Sequence, residues 1–109
     1  MIEISHHMAN KPWAGTSARW SEIRNPATGA VTGRVALASP ADVDTVVDAA
    51  RRALPAWAAT PPAKRAAVLF DFRDLLRKHI DELAALLSAE HGKTIPDAKG
   101  EIARGIEVV

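Results

Sequence analysis

Cysteine is absent from the 109 residues. That excludes disulfides, a thiolate nucleophile and thiolate-bound metal within this stretch, and it fits a cytosolic protein. An excess of either charge is missing too. Fourteen basic and 13 acidic residues are mixed along the chain and leave a formal net charge of +1. Without a basic stripe, neither nucleic acid nor an anionic membrane is expected as a partner. No apolar run approaches the roughly 20 residues that span a bilayer. The opening "MIEISHHMAN" lacks the basic-then-apolar order of a signal peptide. The expected location is cytoplasmic.

What is present suits an ordinary globular chain: 48% hydrophobic and 25% charged residues. A single small domain of this length buries roughly two-thirds of its unfolded surface. The pattern predicts an α+β arrangement, with antiparallel strands over about 2–37 and three to four helices after them. The one internal seam lies at Ser39, between a strand region (1–38) and a helical region (39–109). Ala9-Asn10-Lys11 reads as a tight turn between "IEISHHM" and "PW", since Asn tolerates positive φ. In "NPATG", Pro26 fixes φ and Gly29 supplies a left-handed residue. Val31, Val35 and Leu37 share one parity, which predicts a strand with one buried face.

From Ser39 the period becomes helical. "SPAD" offers a capping Ser39, Pro40 in the first turn and Asp42 to close a capping box. Val43, Val46, Val47, Ala50 and Leu54 form an apolar face, and Pro55 predicts an end near 54. The block "TPPAKRAAVLFDFRDLLRKHIDELAALLSAEHG" predicts helices over about 61–78 and 81–91, opened by Thr60 and bent at "KHIDE", with Asp81 as a second cap. Their stripes are Val68, Leu69, Phe72, Leu75 and Leu76, then Ile80, Leu83, Leu86 and Leu87. Thr94, Pro96 and Asp97 open a last helix over 95–109. Gly100 and Gly105 each cost it roughly 1 kcal/mol relative to Ala, so a partner packed closely against them is expected. The helix reaches "IEVV" with no capping signal, which reads as a chain cut short.

Gly92-Lys93-Thr94 is the stretch most like a catalytic motif. A phosphate-binding loop needs a glycine five positions before the Gly-Lys pair, on a turn that follows a strand. Leu87 stands there, inside a helical run. A helix–helix corner explains every letter: Gly92 ends one helix, Lys93 faces its last carbonyls and Thr94 caps the next. His79 and His91 are twelve residues apart, and His6 and His7 point to opposite faces of a strand, so neither pair makes a metal site. Ser5, Ser17, Ser21, Ser39 and Ser88 lack a nucleophile-elbow setting. Asp42 and Asp44 read as the acidic first turn of a helix, and Trp13, Trp20 and Trp57 as core or interface anchors. No catalytic, cofactor-binding or metal-binding residue is assigned.

The order of motifs carries a resemblance. "KPWAGTSARWSEIRNPATGAVTGRVALASPADVDTVVDAARRALPAW" and "LLSAEHGKTIPDAKGEIARGIEVV" resemble the opening of the aldehyde dehydrogenase superfamily, and are most similar to its methylmalonate-semialdehyde group. The resemblance covers nearly all of this chain but only the first part of such an enzyme. It implies part of the NAD-binding domain of an α/β enzyme. The family reaction runs through a cysteine thiohemiacetal, hydride transfer to NAD and release of a thioester. In this group release goes to coenzyme A with loss of carbon dioxide, giving propionyl-CoA or acetyl-CoA. The family's nucleophile, oxyanion-holding asparagine and NAD-gripping residues lie beyond residue 109, so neither NAD nor coenzyme A is expected to bind this segment. Some members hold a monovalent cation at positions matching the backbone of Ile23 and Arg24 and the side chain of Glu90. A Rossmann sheet is expected to cover Ile102, Ile106 and Val109. The partner is then the remainder of a dehydrogenase or a second copy. The alternative is a non-catalytic truncated paralogue acting as an interaction module.

Overall fold

A computed structural model describes all residues 1–109, with five strands and four helices. The strands are β1 (Ile2–Ile4), β2 (His6–Met8), β3 (Lys11–Trp13), β4 (Trp20–Arg24) and β5 (Val31–Ala36). The helices are α1 (Pro40–Ala59), α2 (Pro62–Lys78), α3 (Ile80–His91) and α4 (Ile95–Val108). They divide into two compact units. One is Met1–Arg24 with Gly29–Ala59, and the other is Asn25–Thr28 with Thr60–Val109.

In the first unit, β2 and β3 form a hairpin closed by Ala9 (φ 50°) and Asn10 (φ 67°). Two successive left-handed residues make the type I′ turn that matches strand twist. The other sheet has the order β1-β5-β4. β4 and β5 are antiparallel, as expected, but β1 runs parallel to β5. The expectation of antiparallel strands throughout therefore fails at this edge, where the hairpin and β4 intervene between two strands of the same direction. Gly33 permits the pairing: a Cβ there would lie 2.6 Å from the carbonyl oxygen of Ile2. Arg34 ties all three strands together, pairing with Glu3 on β1 and lying 4.4 Å over the Trp20 ring on β4.

The single buried face predicted for β5 is not observed. Gly33 and Ala36 are buried, whereas Val31 and Leu37 are exposed. The ladder shifts register at Ile23/Arg24, and α1 makes no extended contact with any strand, so no layer enforces the alternation. α1 also runs through Pro55 to Ala59 instead of ending near 54. The carbonyl deprived of its N–H partner lies on an exposed helix, where water can replace the lost bond.

The second unit packs α3 on α4, with α2 beside both. Ala84 of α3 and Ala98 of α4 have no exposed surface, and small side chains at the contact let the helices approach. Ile106 is buried as well, so it already has cover within this unit, contrary to the expectation that a further sheet is needed for it. The bend expected in "KHIDE" is the single residue His79 between α2 and α3, whose N–H donates to the Leu75 carbonyl at 3.0 Å. Asp81 lies inside the first turn of α3, and His79 occupies the cap position without a side-chain capping bond to the helix backbone. Likewise Pro61, not Thr60, stands at the N-cap of α2. Gly100 and Gly105 have no atom within 4 Å of where a Cβ would be, so the close partner expected at them is not supplied by this chain.

No helix is long and apolar enough to cross a membrane. The chain exposes 8197 Å². The apolar stripes of α1 and α2 lie open, with Val43, Leu54, Val68, Leu69, Phe72 and Leu75 all about half exposed.

Candidate functional site

Two polar knots organise the two units. In the first, Ser39 and Asp42 close the capping box of α1. The Ser39 N–H and hydroxyl each donate to Asp42 Oδ2 at 2.8 Å, and the Asp42 N–H donates to Ser39 Oγ at 3.1 Å. Asp42 Oδ1 then accepts from the Thr16 N–H at 2.7 Å and from the Thr16 hydroxyl at 2.8 Å. The side chain is 1% exposed, and four donors satisfy it. Those donors hold its carboxyl well below the usual carboxylate range, chiefly through the backbone N–H of Ser39. Burial works the other way, and the hydroxyl and backbone N–H of Thr16 and the Ser39 hydroxyl add to the lowering. The sequence signalled the capping box but not Thr16, which lies 26 positions away.

Asp42 and His6 flank a hollow of about 270 Å³ between the hairpin and α1, walled by Trp13, Val43, Val46 and Val47. His6 tilts against Trp13 with ring centroids 5.8 Å apart, and its Nε2 is buried without a partner. The Asp42 carboxylate spends all its acceptor capacity inward on Thr16 and Ser39. It is a structural anchor, not a general base.

The second knot is the Gly92-Lys93-Thr94 corner. Gly92 has φ 85° and its N–H donates to the Ser88 carbonyl at 2.8 Å. The Ser88 hydroxyl donates to the Lys93 carbonyl at 2.6 Å. Thr94 caps α4 by accepting from the Asp97 N–H at 3.3 Å, while its hydroxyl donates to the Asp97 carboxylate at 2.8 Å. Pro26, from the "NPATG" turn, sits over the corner, with its Cγ 3.1 Å from where a Gly92 Cβ would be. Asn25 holds that turn by accepting from the N–H groups of Ala27 and Thr28. The Lys93 ammonium donates to Glu101 on α4 and, with its charge, keeps the Glu101 carboxyl below its ordinary value against some desolvation. The corner is therefore the helix junction expected from its letters. Its lysine is committed to a carboxylate, and its glycine follows a helix.

His79 pairs with Glu82 at 3.2 Å on the α2–α3 junction, and His91 ends α3. No three His, Asp or Glu side chains are placed to hold a metal ion. Ile23 and Arg24 belong to the first unit, where the Ile23 carbonyl accepts from the Thr32 hydroxyl at 3.2 Å; Glu90 is exposed in the second. The left-handed glycines, Gly15, Gly29 and Gly92, serve turns and a helix end. None opens a helix after a strand, so these residues make no dinucleotide cradle.

Residues 13–109 match the aldehyde dehydrogenase family. The chain belongs to that family. It is 45% identical over 104 residues to the malonate-semialdehyde dehydrogenase of Pseudomonas aeruginosa, covering 95% of this chain and 21% of that one. With the human mitochondrial methylmalonate-semialdehyde/malonate-semialdehyde dehydrogenase (acylating) it shares 42% over 93 residues, covering 85% of this chain and 17% of the relative. A Sinorhizobium meliloti protein assigned as a methylmalonate-semialdehyde dehydrogenase and solved with NAD superposes with a TM-score of 0.96 at 56% identity. That match covers 99% of this chain and 22% of the other. The chain thus spans about a fifth of the length of these relatives. The helix-rich α+β segment is a recurring piece of the aldehyde dehydrogenase fold, also found in a benzaldehyde dehydrogenase of Corynebacterium glutamicum at a TM-score of 0.88 and 35% identity.

Proposed function

We propose that this chain is the N-terminal segment of an NAD-dependent, coenzyme A-acylating aldehyde dehydrogenase. Its substrate would be methylmalonate semialdehyde or malonate semialdehyde, oxidised to propionyl-CoA or acetyl-CoA. The observation that carries the reading is the 56% identity and 0.96 TM-score, over 99% of this chain, to a protein solved with NAD. The names of the semialdehyde dehydrogenases at 42–45% identity support the substrate class. NAD supplies a hydride acceptor and coenzyme A an acyl acceptor when bound to such an enzyme. Neither group fits the residues present here, which offer no cysteine and no dinucleotide cradle. The part played by this segment is scaffolding. The Asp42 knot fixes the start of α1, and the Gly92 corner fixes the angle between α3 and α4. Its uncovered apolar faces await the rest of a dehydrogenase chain or another copy. A cytoplasmic location accompanies this reading.

The test is to incubate the 109-residue chain with NAD, coenzyme A and methylmalonate semialdehyde and follow NADH. No NADH above the protein-free blank is expected. Turnover by the chain alone contradicts the scaffolding role.

A further inference from the structure

The β2–β3 hairpin is a two-stranded sheet of its own, bonded to no other strand. Such a hairpin is at best marginally stable in water and needs packing against another element. α1 runs beside it, yet the two do not close on each other. Two adjoining hollows lie between them. One, of about 270 Å³, has His6, His7 and Trp13 on the hairpin side and Val43, Val46 and Val47 on the helix side. The other, of about 300 Å³, lies between Met8 and Ala9 of the hairpin and Val46, Ala50 and Ala53 of the helix. His7 and Val46 border both, so one cleft follows the hairpin along α1.

Both ends of the hairpin are held. Ser5 alone separates it from β1, which is paired with β5. At the other end Ala14 and Gly15 separate it from Thr16, which donates twice to Asp42 in the first turn of α1. Gly15 has φ 73°, and a Cβ there would stand 2.9 Å from the His6 ring. The hairpin is thus seated at its His6 end on a bare glycine, and its Ala9 tip borders the far hollow.

We propose that the hairpin, residues 6–13, is a strap that swings about Ser5 and Gly15 and closes on Val43, Val46, Ala50 and Ala53 of α1. The occupant of the cleft is then this chain's own segment. Its two walls are mainly apolar, so closure removes apolar surface of both from water. A segment tethered at both ends also meets that wall without the translational cost that a separate molecule pays. Met8 is unbranched and suits an irregular gap. The inference holds whichever reaction the family relationship implies.

Amide exchange of the 109-residue chain, read residue by residue by NMR, tests this with Val46→Trp and Ala50→Leu, which put bulk in the path of the strap. Closure predicts protected hairpin amides in the parent, and a loss of that protection of about tenfold in each variant. The β4–β5 amides should be unchanged, which shows that the fold is intact; if Val46→Trp does not fold, Ala50→Leu carries the test. A parent hairpin that exchanges like an unfolded chain overturns the strap. Hairpin protection that is unchanged or raised in a folded variant overturns it too, because the added side chain then fills a permanent space. The chain has no cysteine, so Ala9→Cys with Ala53→Cys gives an independent reading. Closure predicts that this pair forms an intramolecular disulfide under mild oxidation, which requires Cα atoms within about 7 Å. Ala9→Cys with Arg52→Cys, a turn of about 100° around the helix, should not form one. Equal capture of both pairs, or capture of neither, overturns the proposal. No readout involves NAD or substrate, so its failure is separate from any failure of the dehydrogenase reading.

Discussion

Thr16 donates twice to one carboxylate oxygen of Asp42, from its N–H at 2.7 Å and from its hydroxyl at 2.8 Å. This fastens the segment between the hairpin and β4 to the first turn of α1, which the capping box alone would not do. Removing one hydroxyl should have a graded effect. Thr16→Val keeps the backbone bond and should cost about 1 kcal/mol. Ser39→Ala removes both the cap acceptor and a donor to Asp42 and should cost about 1–2 kcal/mol. Urea titrations at neutral pH would rank them, and a smaller loss for Ser39→Ala than for Thr16→Val would contradict this account.

Acid should loosen this knot. The Asp42 carboxyl is lowered from an ordinary value of 3.8. The unfolded chain therefore takes up the proton first, and stability rises with pH through the acid range. The contribution is complete above the unfolded value and is lost as pH falls below about 4. Asp42→Asn removes this carboxylate's share of the slope, and Glu101→Gln removes a separate share that depends on Lys93. Melting curves between neutral pH and the acid limb should show Asp42→Asn destabilised at neutrality and less pH-dependent. An unchanged acid slope would contradict the assignment.

Glycines in the second unit should divide by environment. Gly92→Ala meets both a left-handed φ of 85° and Pro26 Cγ at 3.1 Å, and should destabilise by about 1–2 kcal/mol. Gly100→Ala and Gly105→Ala place a methyl group in open space on α4, and each should stabilise by about 0.5–1 kcal/mol. A loss at Gly100 or Gly105 in the free chain would mean that their bare backbone already meets another surface.

ATP should not bind at the Gly92-Lys93-Thr94 corner. Millimolar ATP is expected to leave the Tm of the parent chain and of Lys93→Ala unchanged. A rise in the parent that Lys93→Ala abolishes would restore the phosphate-loop reading.

The corner and the two capping boxes were legible because each is a local agreement among neighbouring letters: Gly92 after a helical run, Thr94 with Asp97, Ser39 with Asp42. The Ala9-Asn10 turn was legible for the same reason. What escaped the sequence is non-local. The parallel β1–β5 pair and the Thr16–Asp42 bond join residues about thirty positions apart, and no local propensity encodes such partners. The continuation of α1 through Pro55 escaped because the cost of a proline depends on solvent access to the freed carbonyl. The apolar stripes were read correctly as stripes, but burial was assigned to faces that this chain leaves open, such as Val43 and Phe72. The family was legible from motif order alone.

The scaffold claim is tested most directly by exchange. Replacing the matching segment of the Sinorhizobium meliloti protein with these 109 residues joins two parts whose backbones already superpose at a TM-score of 0.96. The chimera should fold and form NADH from methylmalonate semialdehyde only when coenzyme A is present, at a rate near that of its parent. A soluble, folded chimera that has lost the reaction its parent performs would contradict the account.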